Sequence, residues 1–234
     1  MSTYRMYSRK QLQEIAENFL RFHRPNMLEI PEKDFDVYSI VEDCLHVDVD
    51  WQYLSPDESI LGMTAFESGQ LAVYVDEGVF PHEESKFIHV EKGTILIERA
   101  LTEDETRKGQ ENFTVMHEVF HAVLHQKFFL SLPESARMEH QKAKPRYRAD
   151  GHRKFEDPLD FVEWQADTCA ACFLMPEKAM RNAYDGMERL LRSTRTQEQF
   201  EEDTVELMAM MFHVSRQAMK IRLSDLGLMQ ISGK

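Results

Sequence analysis

The hydrophobic period changes twice along this chain, from helical to strand-like and back, and those changes limit the folds open to it. Between Val47 and Glu98 the apolar residues alternate or cluster in short runs, broken by Gly69, Gly78, Pro81 and Gly93. From about residue 110 they recur at helical spacing almost to the end. The runs HVDVDWQYL, Leu61 to Phe66, Gln70 to Val75 and Thr94 to Glu98 predict strands of a small mixed or antiparallel sheet. In front of them, Leu12, Ile15, Ala16, Phe19 and Leu20 repeat at helical spacing behind Ser8, an N-cap residue type, and Pro25 stops the pattern. A weaker helical stretch runs from Phe35 to Leu45. The expected architecture is α+β, with an N-terminal helix over 8–24, a sheet-rich part over 35–100 and a helical part over 110–232. With 42% hydrophobic residues to fill a core, one domain over 1–234 is expected.

A polar segment, 133–158, interrupts the helical part. Between positions 137 and 154, Arg137, Lys142, Lys144, Arg146, Arg148, Arg153 and Lys154 face only Glu139 and Asp150, which suits a solvated loop or a substrate-recognition lid. Over the whole chain acid dominates: 41 Asp and Glu against 28 Lys and Arg give a net charge of −13, so direct nucleic acid binding is disfavoured. The first residues, MSTYRMYSRK, hold no apolar leader core, and the cysteines number three, which predicts free thiols in a reducing cytoplasm. No apolar run reaches the roughly 20 residues a membrane helix needs.

The chemistry concentrates in FTVMHEVFHAVLHQ, residues 113–126. A helix turns about 100° per residue, so His117 and His121 share a face and both imidazoles reach one ion. Neutral imidazoles suit Zn2+, and a catalytic zinc site needs a third protein ligand plus a position for water. Glu118 projects beside such an ion, placed to take a proton from the attacking water and pass it to the leaving amine. On its own, HExxH arises by accident in about one chain in twenty of this composition, so the third ligand decides. In DFVEWQADTCAACFLMP, Glu163 and Asp167 lie four apart on an otherwise apolar helix, where acids require a cationic partner. That spacing suits Glu163 as ligand and Asp167 as the residue that bonds the far nitrogen of a ligand histidine. Glu134, Glu139, Glu156, Asp157 and Asp160 are alternatives, but they sit in or beside the polar loop, where a ligand is harder to hold still. A third histidine of the HExxHxxGxxH kind is disfavoured, because Leu124 and Lys127 occupy those positions.

HEVFHAVLH followed by EWQAD and CFLMP resembles the ImmA/IrrE metallopeptidases, over about Ile40 to Leu228 and including GTILIE, NFTVMHE and FHVSRQAMKIRLSDLGL. The resemblance implies a zincin-like metallopeptidase fold of the gluzincin type, with His117, His121 and the residue matching the family's glutamate ligand, Glu163, on zinc. It further implies that the substrate is a helix-turn-helix transcriptional repressor, whose cleavage releases the genes it silences. In zincins an edge strand beside the active helix pairs with extended substrate; Thr94–Glu98 is either that edge or an interior strand. Two departures stand out. Phe120 replaces a common glycine and is expected to narrow the cleft, and the basic loop looks like an insertion.

Three further features have bland and sharp readings. Cys169 and Cys172 form CxxC, but no second pair completes a four-cysteine site, so packing among alanines is expected. His125 reads as a histidine favoured by the dipole at a helix C-terminus, or as a substrate contact. The segment MAMMFHVSRQAMKIRL has helix-turn-helix spacing, with Arg216, Lys220 and Arg222 as phosphate-facing candidates against the acids upstream. The alternative to a zinc endopeptidase is therefore a zinc-stabilised regulator that binds DNA or a partner protein through its C-terminal helices.

Overall fold

The computed structural model describes residues 5–132 and 155–230. Most of the basic segment, 133–154, lies outside the described residues, and with it the choice between solvated loop and lid. Helix α1 (Arg9–His23) starts on a capping box between Ser8 and Gln11 and buries Leu12, Ala16 and Leu20. Helix α2 (Val37–Leu45) follows, and then strands β1 (Val49–Gln52), β2 (Gly62–Thr64), β3 (Gly69–Tyr74), β4 (Ser85–Val90) and β5 (Ile95–Glu98). The short helix α3 (Arg99–Glu103) leads to α4 (Lys108–Leu124) and α5 (Gln126–Ser131). After the polar segment come α6 (Pro158–Leu174), α7 (Glu177–Leu191), α8 (Gln197–Met211) and α9 (Arg216–Asp225). The α+β architecture, with helix before the sheet and helices after it, is the one the hydrophobic period predicts.

The sheet divides. β1, β5 and β2 form one mixed sheet in that order, β1 parallel and β2 antiparallel to β5. β3 and β4 pair separately as an antiparallel ribbon. β5 is the central strand, and Ile95, Leu96, Ile97 and Glu98 are all fully buried. The interior reading of Thr94–Glu98 therefore holds over the edge reading, as an unbroken apolar run covered on both faces requires. The edge nearest α4 is β2. Strand β4 has no clear signal in the sequence because Ser85, Lys86, Phe87 and His89 are exposed and only Val90 is buried.

One apolar cluster joins α1, α2, β5, α4 and the four last helices, from Leu12 and Ile40 through Val115, Phe120, Phe173 and Met180 to Leu223. Phe120 meets Phe173 edge-on, with centroids 6.2 Å apart, and is 2% exposed. It fills the seam between α4 and α6 and does not narrow a cleft, because it is buried against Phe173, roughly a quarter-turn around α4 from the histidines. Cys169 and Cys172 are free and fully buried, with Cys169 Sγ donating to the Leu12 carbonyl at 3.5 Å. Burial pushes both thiols up. This is the packing role expected for them.

The helix-turn-helix-like pair α8–α9 docks on the start of α4. A Cβ on Gly109 would lie 2.3 Å from the Val214 carbonyl carbon, so only glycine permits this approach. Asn112 Nδ2 donates to the His213 carbonyl at 2.9 Å, and His213 itself takes a positive φ of 52°. Arg222 is 3% exposed and donates to the Met175 carbonyl, while Arg216 pairs with Glu202 and Glu206. Of the three phosphate-facing candidates, Arg222 is thus committed within the fold, whereas Arg216 stays on the surface. Gly109→Ala should destabilise the chain by about 1–3 kcal/mol, or more if the turn cannot shift, through overpacking against backbone. A denaturant melt with an unchanged midpoint would show that the contact carries no weight.

Candidate metal centre

The site is built where α4 crosses α6. Helix α4 has no side-chain N-cap, and its length is held by packing of Val115, Met116, Val119 and Phe120. Helix α6 begins with Pro158 in its first turn and a reciprocal bond between Asp157 and Asp160. That use of Asp157 and Asp160, whose carboxylates accept from backbone N–H groups, removes them as ligands. Glu134 and Glu139 lie outside the described residues.

His117 and His121 face each other across one turn, with Nε2 atoms 2.8 Å apart. Glu163 reaches both from α6: its carboxylate oxygens lie 3.2 Å from His117 Nε2 and 3.4 Å from His121 Nε2. One donor atom from each residue lies within 4.8 Å of the others, the only such His/Cys/Asp/Glu group found among the described residues. Asp167, one turn beyond Glu163, accepts from His117 Nδ1 at 2.8 Å. That bond puts the His117 proton on Nδ1 and leaves Nε2 for the centre.

The electrostatics match this geometry. Burial alone would lower the pKa of His117, but the bonds and charges of Asp167 and Glu163 outweigh it and hold the value well above the ordinary one. Burial would raise Glu163, yet the charge of His121 and the bonds to both histidines hold it well below the usual carboxylate range. Two imidazole nitrogens at 2.8 Å and a sheltered carboxylate need positive charge between them. Two nitrogens and a carboxylate are also a donor set that suits zinc, so the residues fit a divalent ion.

Glu118 points elsewhere. Its Oε2 lies 2.9 Å from Thr64 Oγ1, which is also 3.0 Å from the Glu118 carbonyl oxygen. Across β2, Gly62 faces the same side chain: a Cβ there would come within 2.9 Å of Glu118 Cγ and 3.0 Å of Oε1. The period-two alternation of β2 turns Gly62 and Thr64 toward α4, where they hold the Glu118 carboxylate, which is not part of the His117–His121–Glu163 group. Neither residue is legible as part of the site in the sequence, because nothing there says that β2 lies against α4.

His125 departs from the dipole expectation. It is 2% exposed, and its Nδ1 lies 3.1 Å from His121 Nδ1. Burial and, next, the charge of His121 push its pKa down to about 2, so it is neutral. The attraction of a cation to the helix C-terminus is therefore not what keeps it there. Tyrosine and histidine are side chains that stabilise an oxyanion; Tyr184 packs edge-on against Phe200 between α7 and α8, and His140, Tyr147 and His152 lie outside the described residues.

A small mixed sheet, an HExxH helix beneath its edge strand and a glutamate from the next long helix together define a zincin-like peptidase. The IrrE N-terminal-like domain of the M78 peptidases matches residues 80–224, more than half of the chain, and the chain belongs to that family. The match starts later than the resemblance from about Ile40, leaving β1, β2 and β3 before it. No curated protein matches the chain closely enough to count as a relative.

Proposed function

We propose that the chain is a zinc-dependent endopeptidase whose substrate is a helix-turn-helix transcriptional repressor in the cytoplasm. One observation carries the zinc reading: the Nε2 atoms of His117 and His121 converge with the Glu163 carboxylate while Glu118 stands beside them, held by Thr64. Membership of a peptidase family supports the reaction, and the family resemblance supports the substrate. Among the described residues no helix is long and apolar enough to cross a membrane, which accords with the proposed location.

In this reading His117, His121 and Glu163 hold the ion, and Asp167 keeps His117 in the tautomer that presents Nε2. When bound, zinc supplies Lewis-acid polarisation of the scissile carbonyl and acidifies the attacking water. The Glu118 carboxylate accepts the proton of that water and returns it to the leaving nitrogen, and its fixed position beside β2 makes the transfer directional. Extended substrate adds to β2, the edge strand over α4, and not to β5, which is enclosed on both sides. The regulator reading loses one of its phosphate-facing candidates, since Arg222 is buried.

The test is incubation of the zinc-loaded chain with a purified helix-turn-helix repressor, taken from the neighbouring reading frame where that frame encodes one. A single cut that chelator abolishes and zinc restores is expected. Persistence of the intact repressor, with zinc bound and both proteins folded, would remove this substrate from the proposal.

A further inference from the structure

We infer that His125 is a positioning residue of the metal centre: it accepts a hydrogen bond from Nδ1–H of His121 and thereby keeps the His121 Nε2 lone pair facing His117 and Glu163. The inference rests on the metal reading above and goes one residue further than the ligand set and Asp167.

The three histidines occupy successive turns of one helix face, and their contacts form a chain. Asp167 bonds His117 Nδ1, His117 Nε2 meets His121 Nε2, and His121 Nδ1 meets His125 Nδ1. His125 is placed by the end of α4, where its own backbone N–H donates to the His121 carbonyl at 2.9 Å. Its ring stands 5.1 Å from that of His121, and Phe129 closes on His121 edge-on at 5.4 Å. His121 thus has little freedom to turn.

Two nitrogens 3.1 Å apart share one proton, and there are two ways to place it. If His125 donates, the proton of neutral His121 sits on Nε2 and blocks its approach to an ion. If His121 donates, Nε2 is open, and the proton of neutral His125 sits on its own Nε2. That Nε2 is buried and has no hydrogen-bond partner among the described residues. A buried donor without a partner is unfavourable, so packing alone would favour an apolar side chain at this position. Holding the ligand tautomer of His121 gives the imidazole a reason to be there. The two ligand histidines then have matched supports, a carboxylate behind His117 and a neutral imidazole behind His121.

The experiment uses the full chain, stripped of metal and titrated with Zn2+ against a chromophoric chelator. His125→Leu keeps bulk and removes the acceptor; His125→Asn offers an amide oxygen near the position of Nδ1. His125→Leu should weaken zinc binding about 10- to 100-fold, the range seen when such supports are lost, and His125→Asn should recover most of it. Unchanged affinity in a folded His125→Leu protein overturns the inference, as does a folded His125→Asn no better than His125→Leu. If the leucine variant does not fold, long-range proton–nitrogen NMR of the zinc-loaded unsubstituted chain decides. A proton on His125 Nε2 and on His121 Nδ1 supports the inference, and a proton on His125 Nδ1 overturns it. Failure of the unsubstituted chain to bind zinc would instead sink the metal reading, so the two failures are separable.

Discussion

Glu118→Gln should lower the rate of peptide cleavage by at least about 10²- to 10⁴-fold, the usual contribution of a general base, while zinc content stays the same. Glutamine has nearly the shape of glutamate, can still accept from Thr64 Oγ1, and meets the same wall at Gly62. The fold and the ligand group are thus preserved, and only proton acceptance is lost. Michaelis constants should change little, because Glu118 is not among the groups that hold the ion. Single-turnover cleavage of the repressor, with metal content measured on the same samples, makes the comparison. Cleavage at the unsubstituted rate would mean that another group takes the proton.

Glu163→Ala should have the other large effect, on zinc binding instead of on the chemical step. It removes one of three converging donors and the carboxylate that offsets the two imidazoles. Losing a ligand should cost at least the roughly 100-fold at the upper end of what losing an outer support costs. The effect is visible in melting curves. At free zinc 100 times the dissociation constant, binding stabilises the unsubstituted fold by about 2.7 kcal/mol, and a 100-fold weaker variant keeps only about 0.4 kcal/mol at that concentration. Zinc should therefore raise the midpoint of the unsubstituted chain clearly and that of the variant barely. An equal rise in both would show that Glu163 is not a ligand. The apolar residues of α6, Val162, Ala166, Cys169 and Phe173, are untouched, so the substituted helix keeps its packing.

The parts of this site that can be read in the sequence are those set by one helix at a time. His117 with His121, and Glu163 with Asp167, are each four residues apart, and helical geometry alone aligns each pair. That the two pairs face each other follows only from the need of acids in an apolar helix for a positive partner, and the structure brings them to 2.8–3.4 Å. Contacts set by tertiary packing are out of reach. Gly62 and Thr64 act on Glu118 only because β2 lies over α4. His125 meets His121 by the same four-residue spacing, but its burial depends on tertiary packing and does not show in the sequence. Phe120 defeats the cleft expectation for the same reason: its apolar character shows in the sequence, the Phe173 that covers it does not. In the sheet, β5 carries the signal of an interior strand in its unbroken apolar run, whereas β4 is hidden by its exposed residues.

The central claim is that His117, His121 and Glu163 together bind one zinc ion with Glu118 standing outside the bonded set. The most direct measurement is an anomalous difference map of zinc-loaded crystals, collected on both sides of the zinc absorption edge. It should show one peak about 2.0–2.2 Å from Nε2 of both histidines and from a Glu163 oxygen, with Glu118 still against Thr64. A peak bonded to Glu118 in place of Glu163, or one located away from the α4–α6 crossing, would contradict the account.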